Sequence, residues 1–283
     1  MAEDEFKTID NYKMYASQVF EFAIEKEIIT KNPMDGVKIP KREDQFIVVQ
    51  SKEGEKRNFW EKAEIKKFLE IVKTNYPFSD YCMFHLFIYT GARKGEVLAL
   101  NRNDIDFKNK TLRLNKTLYY DKDNGYMFLT SKTFASRRLI SLDDTTLGLL
   151  RKLIAGQNNG NVTHIHLKDD PNKDKLLFSR FDGHPLRIAY PNDKLDEIIR
   201  IYNLHSITVH GLRHTHASLL FEAGATIKEV QERLGHSDIK MTMNIYTHVT
   251  KTVKELTASR FEKFMESNDE VTEPEDALHE QNK

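Results

Sequence analysis

Thr208-Val209-His210-Gly211-Leu212-Arg213-His214-Thr215-His216-Ala217 is the most informative stretch of this 283-residue chain. His210 and Arg213 stand three apart, so a helix starting here presents both on one face. Leu212, Leu219, Leu220 and Ala223 form a stripe expected to face a core. A helix packed on one side and offering His and Arg on the other suits an oxyanion or phosphate, because guanidinium is a planar, permanently charged fork. A solvated polar face with incidental histidines would read the same way on this segment alone.

Two further clusters lie on either side of that stretch. Leu234-Gly235-His236-Ser237 follows an amphipathic segment bearing Ile227 and Val230, and Gly235 fits a helix C-cap that would fix His236. Tyr246-Thr247-His248 comes ten residues after His236. Upstream, Thr90-Gly91-Ala92-Arg93-Lys94-Gly95-Glu96 places an arginine directly after a helix that is apolar nearly all round, with Met83, Phe84, Leu86, Phe87 and Ile88.

Periodicity gives the surrounding organisation. Helices are expected at 8–29, 61–73, 79–90, 143–155, 192–202, 209–222, 226–234, 238–247 and 251–265. The first carries Tyr12, Tyr15, Ala16, Val19, Phe20 and Ala23 on one stripe and ends at Asn32-Pro33. Short β-rich segments read at Thr111–Tyr120, Tyr126–Thr130 and Arg137–Leu142, with Asn124-Gly125 as a turn. The expected fold is therefore mainly α with a small antiparallel sheet. By domain, 1–40 read as a helical piece, 41–58 as a charged linker, 59–265 as the principal domain and 266–283 as an acidic disordered tail.

Charge needs reading by segment. Lys+Arg and Asp+Glu both number 43, a formal net charge of zero that taken whole argues against a nucleic-acid partner. Yet residues 6–265 hold 42 basic against 33 acidic side chains, and 266–283 hold seven acidic residues against Lys283. The body is basic. No apolar run approaches the roughly 20 residues of a membrane span. Residues 1–15 lack a hydrophobic signal region, so a cytoplasmic protein is expected. Cys82, the single cysteine, excludes an internal disulfide and a multi-cysteine zinc site, and reads as a small core residue. His164, His166, His214 and His216 lack the partners of a zinc ligand set, so no metal is expected.

Taken in order, Thr90-Gly91-Ala92-Arg93 with Glu96, Ser131-Lys132-Thr133, His210-Gly211-Leu212-Arg213-His214-Thr215, Leu234-Gly235-His236-Ser237 and Tyr246-Thr247-His248 resemble the motifs of the tyrosine recombinase (phage integrase) family. The resemblance covers about residues 58–265. It implies a DNA integrase or transposase that cleaves and rejoins duplex DNA, for integration or excision of a mobile element. Arg93 and Arg213 would clamp the scissile phosphate, with His236 bonding a non-bridging oxygen. His210 would assist proton handling, and Lys132 would protonate the leaving 5′ oxygen. Tyr246 would be the nucleophile, forming a 3′-phosphotyrosine, and Glu96 would orient Arg93. No metal, ATP or other cofactor is implied.

The same resemblance implies a homotetramer on attachment-site DNA, with a directionality factor and a host DNA-bending protein as partners; the apolar 251–265 helix either folds back onto its own domain or, as the resemblance favours, is exchanged between protomers. Residues 1–40 look like the end of the family's helical core-binding domain, of which only one helix is evident. The 226–247 helices around Gly235 also mimic a helix-turn-helix regulator, the non-enzymatic alternative. Such a regulator would not need Arg93, Lys132 and Tyr246.

Overall fold

A computed structural model describes residues 3–38, 57–130, 137–159 and 176–246. The chain divides into two compact units, Met1–Glu55 and Lys56–Lys283. Among the described residues no helix is long and apolar enough to cross a membrane.

In the first unit, α1 (Glu3–Glu25) begins earlier and ends earlier than its periodicity suggests. Its end is set at Glu27, whose left-handed φ of 56° lets the Ile28 amide close on the Ala23 carbonyl at 2.9 Å; farther on, the Asn32 side chain donates to the Ser17 hydroxyl at 2.9 Å and accepts from the Met34 amide. Tyr12, Tyr15 and Val19 on the expected stripe are exposed. One helix and a returning segment cannot cover both sides of a stripe.

The second unit is built on α2 (Lys62–Asn75) and α3 (Phe78–Thr90), which pack together. The α3 helix is buried almost all round, as its composition requires, and Cys82 is buried within it. Phe68 of α2 sits between the rings of Trp60 and Phe84 at centroid distances of 4.7 and 5.2 Å. Behind α3 lies α5 (Asp144–Asn159); α6 (Tyr190–Tyr202) and α7 (Val209–Glu222) complete the main helical layer.

The β region differs from the sequence reading. The Thr111–Tyr120 segment is two strands, β2 (Thr111–Leu114) and β3 (Lys116–Asp121), in separate sheets. A short β1 (Ile105–Asp106), β2 and β5 (Arg138–Ser141) form one antiparallel sheet in the order β1-β2-β5, with Leu112 opposite Ile140 and Leu114 opposite Arg138. Meanwhile β3 and β4 (Gly125–Thr130) form a separate hairpin closed at Asp121 and Gly125. The break at Asn115 has long-range causes. Lys116 pairs with the nearly buried Asp104, and α4 (Lys94–Leu98) lies against β3 so closely that a Cβ on Gly95 would stand 2.2 Å from the Thr117 hydroxyl.

A second, smaller core joins α7 to α8 (Ile227–Leu234) and the helical residues 239–246, through Ala217, Phe221, Val230, Leu234 and Ile245. The expected helix at 251–265, the linker at 41–58 except its last two residues, and the tail at 266–283 fall outside the described residues.

Candidate active site

Gly91 ends α3 in the left-handed conformation, with φ at +62°. A Cβ there would meet His216 Cδ2 and Leu234 Cδ2, each at 2.6 Å, so both torsion and space demand glycine. The tight exit delivers Arg93 to the N-cap of α4, where Glu96 fixes it twice. The Arg93 amide donates to Glu96 Oε2 at 2.8 Å and its Nη1 to Oε1 at 3.0 Å. Arg93 Nη2 reaches the Gly235 carbonyl at 3.3 Å.

The α7 helix is capped by the Thr208 hydroxyl, which accepts from the Gly211 amide. Asn58 accepts from the Thr208 amide at 2.9 Å and lies so near Gly211 that a Cβ would come within 2.7 Å of its backbone oxygen. One helical turn on, Arg213 is only 2% exposed, and two carbonyls hold it: Nη1 donates to Gly91 and Nη2 to Leu234, both at 2.8 Å. Neither anchor carries charge. Burial, then Arg93 and Arg138, lower its pKa to about 9, still cationic at neutral pH.

The α7 stripe departs from expectation. Ala223 is exposed, Leu219 and Leu220 are half-buried, and Arg213 is deeper than either. His216 is buried as well, with Nδ1 2.8 Å from the Ile88 carbonyl and Nε2 3.1 Å from Arg233 Nε. Both ring nitrogens are committed within the protein, against a zinc role for His216. His210 is exposed beside His214, their rings edge to face at 4.8 Å. Desolvation by the surrounding protein, with Arg213 and Arg93 nearby, lowers the His210 pKa.

Gly235, with φ at +68°, caps α8 and directs His236 inward. His236 is buried, with Nδ1 2.9 Å from the hydroxyl of the fully buried Thr242. Burial, then Arg213 and Arg93, lower its pKa to about 3, so the ring is neutral across the physiological range.

Between Arg93, Lys94, Asn192, Thr208, His210 and Arg213 lies an open cleft of about 330 Å³. Glu96 supplies one carboxylate against the guanidinium groups of Arg93, Arg138 and Arg213, and the local balance is positive. Such a cleft attracts an anion, and its fixed donors need little rearrangement to hold one.

Arg93, Arg213, His210 and His236 are thus brought together, with Glu96 behind Arg93. Lys132 lies outside the described residues. Tyr246 is half-buried against Phe221, edge to face at 5.1 Å, and does not line the cleft. Sequence reasoning missed Arg138, which is 6% exposed and grips Glu96 with both Nη atoms at 3.0 Å. A signal was present: Arg138 shares strand parity with Ile140, the inward-facing side. Arg233, which donates to the carbonyls of Tyr89 and Ser141, was missed too and carries no local signal.

Known proteins share the sequence pattern and the fold of this chain. The model of the phage integrase family matches residues 58–252. The chain is 33% identical over 179 residues to an integrase of Staphylococcus phage L54a, covering 62% of this chain and 49% of that protein. It is 29% identical over 258 residues to the ICEBs1 integrase of Bacillus subtilis strain 168, covering 86% of this chain and 62% of that one. It therefore spans about half to three fifths of the length of these relatives. A solved Tn1549 transposon integrase in complex with a circular intermediate DNA superimposes with a TM-score of 0.66 at 25% identity, covering 84% of this chain and 74% of that one. With the motifs in order, the fold matched and the family model spanning most of the second unit, the chain belongs to the phage integrase family.

Proposed function

We propose that this chain is a site-specific tyrosine recombinase that cleaves and rejoins duplex DNA. The observation that carries the reading is Arg213, buried with no carboxylate hydrogen-bonded to it among the described residues and held by two carbonyls beside Arg93 at an open cleft. A buried cation with neutral anchors implies an anionic ligand, and a DNA phosphodiester supplies one.

In this reaction Tyr246 Oη attacks the phosphorus, forming a phosphotyrosine on the 3′ side while the P–O5′ bond breaks. Lys132 gives its proton to the departing 5′ oxygen. Rejoining runs the same steps backwards, and the retained ester makes an external energy source unnecessary. Charge growing on the non-bridging oxygens is met by Arg93 and Arg213. His236, neutral and held at Nδ1 by the Thr242 hydroxyl, turns Nε2 to the same oxygens and, as the Nε2–H tautomer, donates to them. His210, with its lowered pKa, handles the tyrosine proton at the cleft edge.

The proposal extends to assembly. Residues 1–40 act as the end of a core-binding domain and 59–265 as the catalytic domain. The enzyme works as a homotetramer on attachment-site DNA, with the 251–265 helix exchanged between protomers. A directionality factor and a host DNA-bending protein assist it, and it acts in the cytoplasm at the nucleoid.

Incubation with a nicked suicide DNA, followed by a denaturing gel, tests the chemistry. A covalent protein–DNA band is expected from the wild type and none from Tyr246→Phe. A band retained by Tyr246→Phe would remove Tyr246 as nucleophile. Retardation of DNA without any covalent band from the wild type would make the protein a DNA-binding regulator instead.

A further inference from the structure

We infer that Arg138 is a positioning residue for phosphoryl transfer, acting through Glu96 to set both the orientation and the effective charge of Arg93; this rests on the recombinase reading above. Glu96 Oε1 accepts from Nη1 of both Arg93 and Arg138, each at 3.0 Å. Its Oε2 accepts from Arg138 Nη2 at 3.0 Å and from the Arg93 amide at 2.8 Å. Two arginines therefore share one carboxylate that is only 4% exposed.

Charge explains why the second arginine matters. A buried Glu96 paired with Arg93 alone would neutralise the guanidinium that faces the cleft. With Arg138 on the same carboxylate the trio carries a net positive charge, and Arg93 keeps an electrostatic pull on a phosphate. Geometry adds to this, since the bidentate grip of Arg138 fixes the carboxylate plane and therefore the direction of Arg93.

Arg138 is itself held from a third element. Its Nε donates to the Arg233 carbonyl of α8 at 2.8 Å, two residues before the Gly235 carbonyl that receives Arg93 Nη2. Elements α4, β5 and α8 thus converge on one ionic cluster at the cleft wall. A salt bridge kept only for stability would need neither the shared carboxylate nor the tie to the loop bearing His236.

The test compares single-turnover cleavage of nicked DNA carrying a normal phosphate or an uncharged methylphosphonate at the scissile position. Arg138→Gln should slow cleavage of the phosphate by about 10- to 100-fold, the size typical of losing an orienting partner. On the methylphosphonate, which presents no net charge for Arg93 to meet, the deficit should largely vanish, as it should for Arg93→Ala. If Arg138→Gln does not fold, Arg138→Lys keeps the charge without the fork, and should show a smaller phosphate deficit with the same relief. Equal slowing on both substrates would reduce Arg138 to a structural residue and overturn the inference while leaving the recombinase reading intact. Absence of any covalent product from the wild type on phosphate DNA would overturn that reading and this inference together.

Discussion

His85, His216 and His236 are all buried imidazoles, and burial is the leading reason each has a pKa below the ordinary 6.5. His85 falls to about 4 and the other two to about 3. His85 accounts for its burial only in part, with Nε2 2.9 Å from the Thr146 hydroxyl, its ring stacked on Tyr89, and Nδ1 without a partner among the described residues. As pH falls from 6.5 towards 4, the unfolded chain protonates these rings and the native chain does not. Each therefore contributes stability that is present above pH 6.5 and is lost on acidification, by up to about 1.4 kcal/mol per pH unit. The urea midpoint should decline through this window, most cleanly in its upper part before the carboxylates begin to titrate, and His85→Gln should flatten the decline. A slope unchanged by that substitution would contradict the assignment.

Helix ends carry much of the site, and Gly91 shows how closely α3 is stopped. Gly91→Ala meets both an unfavourable torsion and two atoms at 2.6 Å, one on His216 and one on Leu234, so it should destabilise by about 2–4 kcal/mol in urea unfolding. A loss below about 0.5 kcal/mol would mean that the α3–α4 turn relaxes freely. The glycines were legible at this scale, since Gly91 and Gly235 sit where apolar periods stop and both prove to be left-handed caps. The break between β2 and β3 was not. Leu112, Leu114 and Leu118 are all buried and all on the same parity, so apolar alternation resumes past Asn115, and Lys116 on that parity reads as a flaw in one strand until its partner Asp104 is known. The change of sheet is imposed by Asp104 and Gly95, partners distant in the chain. Arg138 was hidden for a related reason, because an arginine on an inward strand position reads as a flaw in the pattern until its carboxylate is known.

Across the whole molecule, the site falls where the main core meets the smaller one, and Arg213 spans them by binding Gly91 on one side and Leu234 on the other. The motifs around Arg93, Arg213 and His236 were readable because each sits at a helix end whose caps are local. The convergence of Arg93, Arg213 and His236 needed the packing of α3, α7 and α8, which no local pattern reports. Charge also separates at this scale. Residues 266–283 carry seven acidic side chains against Lys283, so a chain lacking them has a net charge of +6 rather than zero. Gel retardation should show that shortened chain binding duplex DNA on the order of 10-fold more tightly at low salt, with the gain shrinking as salt rises. An unchanged affinity would show that the acidic segment does not compete with DNA for the basic body.

The two carbonyl anchors of Arg213 have one more consequence. A carboxylate partner would have made this residue comfortable and inert, whereas neutral anchors leave it as a standing liability inside the fold. In the role proposed for Arg213, stability and catalysis are therefore opposed at a single position. An uncharged side chain of similar volume would give a sturdier protein with no use for a phosphate, and drift at residue 213 would erode the activity long before it disturbed the architecture.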